Sequence, residues 1–439
     1  MKVYRITAAI TAAIMLFCLC GCDAFTVDTD KLINPPELTG AMYPIGKALS
    51  DSVQGEYQLK YPQSGEYRSA IVLDDINGDG SPEAFAFYST ADDEMTNMHI
   101  NAICKSGEEY KSVSEQSIVA GGIERVEFCD LDNDGTREIL VGWEVYGSSE
   151  KQLCVYSLKD KKLTPILSEK YTGFLCCDLT GSGGNELFIH LLDTANLVNS
   201  AALYAFVDGV SYMKGSCMLD SAVKTAQAPA ISKLTTGQNA VFIDEIKGAG
   251  AVTEVIFYDG NDLKNPLLDR ENSAENTRTL RASAILCRDI DSDLSLEIPV
   301  ATNLPNATAS DELLFYTNWC GFDGENLLIE QITIVNSIDG YYMVIPEKLA
   351  GALAVTKDTA NHRRVFYGYD KEEGTVTERL ASVTVIAAEK WDSPDYDRLA
   401  MFELGRRGDV VFAGAVNSSA KEPISEQQLT EMFKLTQQG

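Results

Sequence analysis

Two short stretches of the sequence place oxygen-bearing side chains at a spacing that suits a hard metal ion. In each stretch acids or amides occupy positions one, three and five, glycine occupies position six and glutamate occupies position nine. Calcium takes six to eight oxygen ligands in a flexible shell, and these side chains with the carbonyl of position seven could provide one. The predicted ligands are Asp75, Asn77, Asp79, Glu83 and the Ser81 carbonyl in the first loop, and Asp130, Asp132, Asp134, Glu138 and the Thr136 carbonyl in the second.

Three weaker copies of the pattern follow along the chain. The copy at Asp178 keeps the glycine turn but lacks two of the charges, and the copy that runs from Asp244 to Glu254 is longer than the others. In the fifth copy Leu294 stands where glycine is expected, and a left-handed conformation there costs leucine about 1 to 2 kcal/mol. Its predicted ligands are Asp289, Asp291, Asp293 and Glu297.

The same residues also favour a metal-free turn between two strands, because Asp, Asn and Gly form such turns without any ion. An EF-hand is excluded, since position twelve would be Ala86 or Val141 instead of glutamate. Any calcium held here is expected to be structural, because a closed cage of side chains cross-links two strands. A calcium cage and a metal-free turn are therefore the two interpretations of these loops.

Each loop is flanked by strand-like sequence. The residues two and four places before the first aspartate are apolar in every copy, as Ile71 and Leu73 are before Asp75. Apolar residues two apart share one face of a strand, so each loop is expected to be entered from a half-buried strand. Apolar runs also follow each closing glutamate. The repeating unit is about four short strands over roughly 45 to 65 residues, which is the period of a propeller blade.

These loops resemble those of the FG-GAP or VCBS repeat proteins, a group that includes the integrin α-subunit head. In that family an Asp-x-Asp/Asn-x-Asp-Gly-x-x-Asp/Glu calcium loop joins the first two strands of each blade. The resemblance covers about residues 45 to 335 and implies a β-propeller. We therefore predict a mainly β protein with five four-stranded blades over residues 44–338, or six or seven if one or two blades lack the acidic loop.

Beyond Gly340 the acidic loops stop and the strand patterns lengthen. A closing helix is predicted from Ser425 to Leu435, because Ser425 and Gln428 have the spacing of a capping box. We predict a separate small α+β domain over residues 339–439. The alternative is that part of this segment completes the propeller.

The N-terminus has the order of an export signal. Lys2 and Arg5 precede an apolar run that is too short to span a bilayer comfortably. The run ends Leu19-Cys20-Gly21-Cys22, which resembles the lipobox of bacterial lipoproteins. The resemblance implies a signal peptide over residues 1–21, a diacylglyceryl group on Cys22 and a tether over residues 22–43. Two acyl chains give stable anchoring, so the predicted location is extracytoplasmic, on the cell membrane. The alternatives are an ordinary secretory signal and an uncleaved membrane helix.

Composition restricts the function further. Lys and Arg number 36 against 65 Asp and Glu, a net charge of −29 that argues against a nucleic-acid partner. The three histidines, His99, His190 and His362, are spread along the chain, so a histidine triad or zinc site is not expected. Cysteines after Cys22 lack Cys-x-x-Cys spacing and are expected to be buried thiols. Trp143, Trp319 and Trp391 are expected in the core or at its rim.

The expected function is therefore binding rather than chemistry. We predict a cell-surface module that binds or adheres to an unidentified glycan or protein of the envelope or extracellular space. The alternative is a carbohydrate-active enzyme, a glycosidase or polysaccharide lyase, because a catalytic carboxylate pair could lie among the 65 acids.

Overall fold

The computed structural model describes residues 40–90, 97–269, 271, 274–308, 313–398 and 400–436. The predicted signal peptide, Cys22 and the tether as far as residue 39 lie outside these residues. Across the part of the chain that is described, no helix combines the length and apolar character that crossing a bilayer requires.

The protein is mainly β and folds as a β-propeller. Six antiparallel sheets of four or five strands follow one another along the described residues, and we call them blades 1 to 6. This number lies within the predicted range of five to seven. The first three blades contain the strands β1 (Tyr57–Leu59), β2 (Ile71–Asp74), β3 (Glu83–Thr90), β4 (Asn97–Ser106) and β5 (Glu109–Val119) in blade 1; β6 (Gly122–Cys129), β7 (Glu138–Glu144), β8 (Lys151–Lys159) and β9 (Lys162–Tyr171) in blade 2; and β10 (Gly173–Cys177), β11 (Glu186–Asp193), β12 (Val198–Val207) and β13 (Val210–Met218) in blade 3.

The later blades depart from a plain four-strand meander. Blade 4 has two short strands on one side of its central hairpin, and the last strand of the chain joins blade 5. Their strands are β14 (Thr225–Ala226), β15 (Ala230–Lys233), β16 (Asn239–Lys247), β17 (Gly250–Tyr258) and β18 (Leu263–Lys264) in blade 4; β19 (Ile298–Leu304), β20 (Leu314–Phe322), β21 (Leu327–Asn336) and β22 (Tyr341–Val344) in blade 5; β23 (Leu353–Asp358), β24 (Arg363–Asp370), β25 (Thr375–Ala387), β26 (Phe402–Arg407) and β27 (Val410–Val416) in blade 6; and β28 (Phe433–Leu435), which pairs with β22.

Apolar residues fill the space between successive blades. Because side chains alternate along a strand, a blade has two faces that can be apolar, and blades 2 to 5 each present one to the blade before and one to the blade after. In blade 1, for example, Phe85 and Phe87 pack against blade 2, where Trp143 is fully buried. Separate clusters join blades 2 and 3, 3 and 4, 4 and 5, and 5 and 6.

Three short α-helices accompany the sheets in the described part of the chain. Helix α1 (Tyr43–Ser52) buries Ile45 and Leu49 against the face of blade 1 that points away from blade 2. Helix α2 (Ala388–Asp392) places Trp391 on blade 6. Helix α3 (Glu426–Met432) begins at Ser425 with the predicted capping box, but it ends at Met432 instead of Leu435 because the chain then pairs with β22.

The C-terminal segment shares a core with blade 5. Strand β22 pairs with β21, and Met343 and Tyr341 lie in the same apolar cluster as Ile334 of blade 5 and Phe412 of blade 6. The predicted boundary at residue 338 therefore falls between two strands of one sheet.

The cysteines and tryptophans have the predicted environments. Eight cysteines in the described residues are unbridged thiols, six of them buried. Trp143, Trp319 and Trp391 are all buried, so none offers an exposed platform for a sugar ring.

Candidate metal sites in the blade loops

Four of the five predicted loops share one backbone conformation. They join β2 to β3 in blade 1 and the first two strands of blades 2 and 3, and the last of them leads into β19 of blade 5. In every one of them positions four and six are left-handed. The residues are Gly78 and Gly80, Asn133 and Gly135, Gly181 and Gly183, and Ser292 and Leu294, with φ between 57° and 87°.

Two hydrogen bonds recur in these loops and hold the acids in place. The N–H of position six donates to the first aspartate in each, as Gly135 does to Asp130 at 3.1 Å. The N–H of position two donates to the closing glutamate, as Leu131 does to Glu138 at 2.9 Å. All four closing glutamates are buried, so each loop directs a carboxylate inward beneath its turn.

In two loops three carboxylates converge as a metal site would require. Oxygen atoms of Asp130, Asp132 and Glu138 in the second loop lie within 4.8 Å of one another, and so do those of Asp289, Asp291 and Glu297 in the fifth. Asp130 Oδ1 is buried and has no hydrogen-bond partner among the described residues. An oxygen-only donor set with an unsatisfied inward oxygen fits calcium.

The other predicted ligand side chains, including those of the first loop, do not belong to these triads. Asp134 and Asp293 each accept a hydrogen bond at 2.7 Å from the N–H of position seven, at Thr136 and Ser295. Asp79 does the same with Ser81 at 2.8 Å. The first loop has an amide at position three, and its Asn77 Nδ2 donates to Glu83 at 3.3 Å.

Electrostatics in the acid-rich loops favours added positive charge. Burial, and then the neighbouring aspartates, raise the pKa of Glu138 to about 7. Burial, followed by Glu330 and the loop aspartates, has the same effect on the pKa of Glu297. A cation among these carboxylates would offset their mutual repulsion.

The third loop differs in its charge. Thr180 and Ser182 replace the acids of positions three and five, and the Thr180 hydroxyl donates to Glu186. Lys214 of β13 donates to the same oxygen of this glutamate, with Nζ 3.1 Å from Oε1. A positive side chain thus reaches the closing glutamate of this loop.

The prediction of a fourth acidic loop is wrong. Asp244 lies within β16 and Glu254 within β17, and these strands form a tight hairpin. The buried Asp244 carboxylate is neutralised by Arg281, whose Nη2 lies 2.9 Å from Oδ1, and it also accepts from the Cys287 N–H at 2.7 Å. Strand β16 therefore continues through Asp244, because Arg281, which is distant in sequence, neutralises the buried carboxylate.

The predicted strand before the fifth loop is also absent. Within the described residues, Arg288 forms only an isolated bridge with Glu297. The backbone just before this loop is held by side chains instead. Arg281 donates to the Ile285 carbonyl, and Asp244 of blade 4 accepts from the Cys287 N–H.

A set of contacts between loops was not foreseen from the sequence. A side chain of each following blade donates to the carbonyl of the first aspartate in the loop before it. The pairs are Arg137 with Asp75 at 2.9 Å, Asn185 with Asp130 at 3.2 Å, and Asn239 with Asp178 at 2.6 Å. For Arg137 and Asn185 the available signal was a polar donor at position eight of the loop, whereas Asn239 is the first residue of β16.

A buried polar network between blades 3 and 4 was also missed. His190 lies on β11, and its Nε2 is 2.8 Å from Asn199 Oδ1 and 3.3 Å from Glu245 Oε1. Glu254 accepts from Asn265 at 2.8 Å. Burial, and then Glu245, raise the pKa of Glu254 to about 8.

Two clefts open at blade 3 and meet at Lys170 and Leu191. One has a volume of about 610 Å³ and is lined largely by apolar groups, including Tyr204 and Met213. The other, of about 630 Å³, is more polar and includes Lys224. Both volumes lie in the range of small-molecule sites.

No family model matches the chain, and no curated protein matches it either. Solved structures of low identity resemble it. A rhamnogalacturonan lyase of Bacillus licheniformis is 10% identical, with 73% of this chain and 77% of that chain covered and a TM-score of 0.30. The periplasmic gluconolactonase of Pseudomonas aeruginosa is 11% identical, with 73% and 86% covered and a TM-score of 0.28. The Dos1 propeller is 8% identical, with 83% and 82% covered and a TM-score of 0.30. Values of this size carry no argument about ligand or reaction.

Proposed function

We propose that this chain is a calcium-stabilised propeller of the FG-GAP or VCBS type that acts as a binding module at the bacterial cell surface. The observation that carries the calcium proposal is the convergence of three carboxylates in the second and fifth loops. Asp130, Asp132 and Glu138 would hold one ion, and Asp289, Asp291 and Glu297 another. In the first loop Asp75, Asp79 and Glu83 would contribute with Asn77. The bound ion would tie the end of one strand to the start of the next.

The binding role is proposed for the two clefts at blade 3. They lie on a rigid set of strands, and together they combine an apolar wall with lysine and carboxylate groups. A glycan or an extended peptide can use both kinds of surface, because it presents apolar faces and hydrogen-bonding groups side by side. We further propose that the chain is exported and anchored through lipid on Cys22.

Thermal unfolding of residues 23–439 tests the calcium proposal. After chelator treatment, calcium at a hundredfold above its dissociation constant should add about 2.7 kcal/mol of stability for each site. Magnesium is the control, because it demands a smaller and more regular shell. A variant with Asp130→Asn and Asp289→Asn should lose most of the calcium effect. If calcium leaves the unfolding temperature of the parent unchanged, the loops are metal-free turns.

Binding is tested with the calcium-loaded protein on immobilised glycans and envelope fractions. Met213 lines the apolar cleft and is about half exposed, so Met213→Glu should weaken retention at least tenfold without unfolding the chain. Val119→Glu, at a similarly exposed site on blade 1, is the matched control. Equal retention of both variants would remove the cleft from the proposal.

The same glycan panel separates binding from turnover. Retention without new reducing ends or unsaturated products is the expected result. Formation of either product would replace the binding proposal with a glycosidase or a lyase. The anchor is tested by fatty-acid labelling in cells, which Cys22→Ser should abolish.

A further inference from the structure

In four blades the third strand after the acidic loop carries a β-bulge at one fixed place. In blades 1, 2, 3 and 5 the residue after the closing glutamate pairs with a residue of the second strand after the loop. The third strand has one extra residue next to its pairing with that same residue. In blade 3, for example, Leu187 pairs with Tyr204, and the bulge lies between the pairs Leu203–Gly215 and Tyr204–Met213. The four bulge residues are Val113, Ile166, Lys214 and Glu330.

The chemical type of this residue changes with the charge of the loop. Blade 2, with four acids in its loop, has the apolar Ile166. Blade 3, whose loop has Asp178 and Glu186 alone, has the positively charged Lys214. Blade 5, with four acids, has Glu330, which lines a cavity of about 320 Å³ together with Asp293 and Glu297. The only positive charge among the four bulge residues thus accompanies the loop with the fewest acids.

The ammonium group of Lys214 lies next to the closing glutamate of the third loop. Its Nζ lies 3.1 Å from Glu186 Oε1 and 5.3 Å from the centre of the Tyr258 ring. Glu186 is only 4% exposed at its side chain, while Lys214 is 26% exposed. The second oxygen of Glu186 accepts from the N–H groups of Leu179 and Thr180. Glu186 therefore has donors on both oxygens and needs no metal.

We infer that the Lys214 ammonium is the resident cation of the third loop and that the residue at the bulge determines whether a blade takes a metal ion. The inference rests on the proposed function for the metal sites of blades 2 and 5. In blade 2 the apolar Ile166 leaves the carboxylates to an external ion. In blade 3 the lysine supplies a positive charge from within the chain, next to the Glu186 carboxylate.

The first test introduces a lysine into blade 2. Ile166→Lys should place an ammonium beside Glu138 and remove one bound calcium per chain, counted by equilibrium dialysis with radioactive calcium. Thr164→Lys is the matched control, because it adds the same charge to the same strand at an exposed, regularly paired position. An unchanged calcium count in Ile166→Lys, or an equal loss in both variants, would overturn the inference.

The second test builds a metal site in blade 3. The triple variant Lys214→Ile, Thr180→Asp, Ser182→Asp reproduces the acids and the bulge residue of blade 2 and should bind one more calcium than the parent. The double variant Thr180→Asp, Ser182→Asp keeps Lys214 and should gain none. A gain in the double variant would overturn the inference. If the parent binds no calcium, the proposed function fails. The difference in bound calcium between the triple variant and the double variant still decides the role of Lys214.

Single substitutions cover the case in which the triple variant does not fold. Without calcium, Lys214→Met should lower the unfolding temperature, because Glu186 then loses its positive partner. Lys214→Arg keeps the charge and should retain most of the parent's value. Equal unfolding temperatures for Lys214→Met and the parent would overturn the inference.

Discussion

At the scale of single residues, the loops owe their shape to a few backbone conformations and to one buried glutamate. The left-handed residues at positions four and six turn the chain, so that successive N–H groups point at the first aspartate. The closing glutamate is buried because it starts the next strand at the base of the turn. The acids are therefore positioned by hydrogen bonds within the loop.

Leu294 occupies a left-handed position in the fifth loop at a cost. Its φ is 72° and its side chain is 88% exposed, so it contributes little packing. Leu294→Gly should stabilise the protein by about 0.5 to 1 kcal/mol, the relief of strain less the greater unfolded-chain entropy of glycine. Chemical denaturation measures the change. Ile338→Gly, at an exposed residue outside the left-handed region, should destabilise by about 0.5 to 1 kcal/mol. A loss for Leu294→Gly would mean that the loop does not store this strain.

Glu254 gives the stability of the protein a pH dependence. Its carboxyl is buried near Glu245 and Asp220, and its pKa is raised from 4.5 to about 8. A carboxyl with a raised pKa takes up a proton on folding, so its contribution to stability is lost as the pH rises from 4.5 to about 8. Glu254→Gln cannot ionise. The free energy of unfolding of the variant relative to the parent should therefore rise with pH, by at most about 1.4 kcal/mol per pH unit.

Urea unfolding at several pH values measures this difference. Glu271→Gln, at an exposed position, is the control and should give a flat difference. A flat difference for Glu254→Gln as well would mean that this carboxyl is ionised throughout the range.

At the scale of the elements, neighbouring blades are joined by polar contacts as well as by apolar packing. Arg137, Asn185 and Asn239 each reach back to the loop of the preceding blade. These donors satisfy a carbonyl at the point where the chain leaves a strand. The position of each loop is thus fixed by its own turn and by the next blade.

Removal of one such donor should be costly. Asn239→Ala deletes the 2.6 Å hydrogen bond to the Asp178 carbonyl and should destabilise the protein by about 1 to 3 kcal/mol. Asn196→Ala removes a hydrogen bond within an exposed turn and should change stability by less than about 0.5 kcal/mol. Equal losses of stability for the two variants in denaturant unfolding would show that the hydrogen bond between blades contributes no more than one in an exposed turn.

At the scale of the whole molecule, the apolar core is a series of layers between blades, and the layer between blades 5 and 6 is the largest cluster. It contains Leu304 and Ile334 of blade 5 and Leu353 and Phe366 of blade 6. Strands β22 and β28 lie at the edge of blade 5, so the segment after residue 338 completes that sheet.

Truncation after residue 338 tests whether the last hundred residues form a separate unit. The cut removes Met343, Phe366 and Phe412 from the cluster and leaves β21 without its partner β22. We expect the shortened chain to aggregate or to unfold without cooperativity, because it exposes an apolar face and a strand edge. The measurement is size-exclusion chromatography followed by calorimetry, with residues 40–439 as the control. Cooperative unfolding at the parent's temperature would instead support the predicted boundary.

The sequence by itself determined the features that depend on local spacing. The turns around Asp75, Asp130, Asp178 and Asp289, the strands on both sides of the first three, the buried tryptophans and the capping box at Ser425 follow from side-chain alternation and turn chemistry, which act within a few residues. The mainly β propeller follows from their repetition.

Only the tertiary structure decided the features that depend on partners far apart in sequence. Asp244 was predicted to begin a loop, because nothing near it reveals Arg281 as the cation that allows it to be buried in a strand. The lysine beside Glu186 lies 28 residues away, at a bulge that strand pairing alone creates. Charges buried by folding are neutralised by whichever group the fold brings near, and that pairing is set by the arrangement of the sheets.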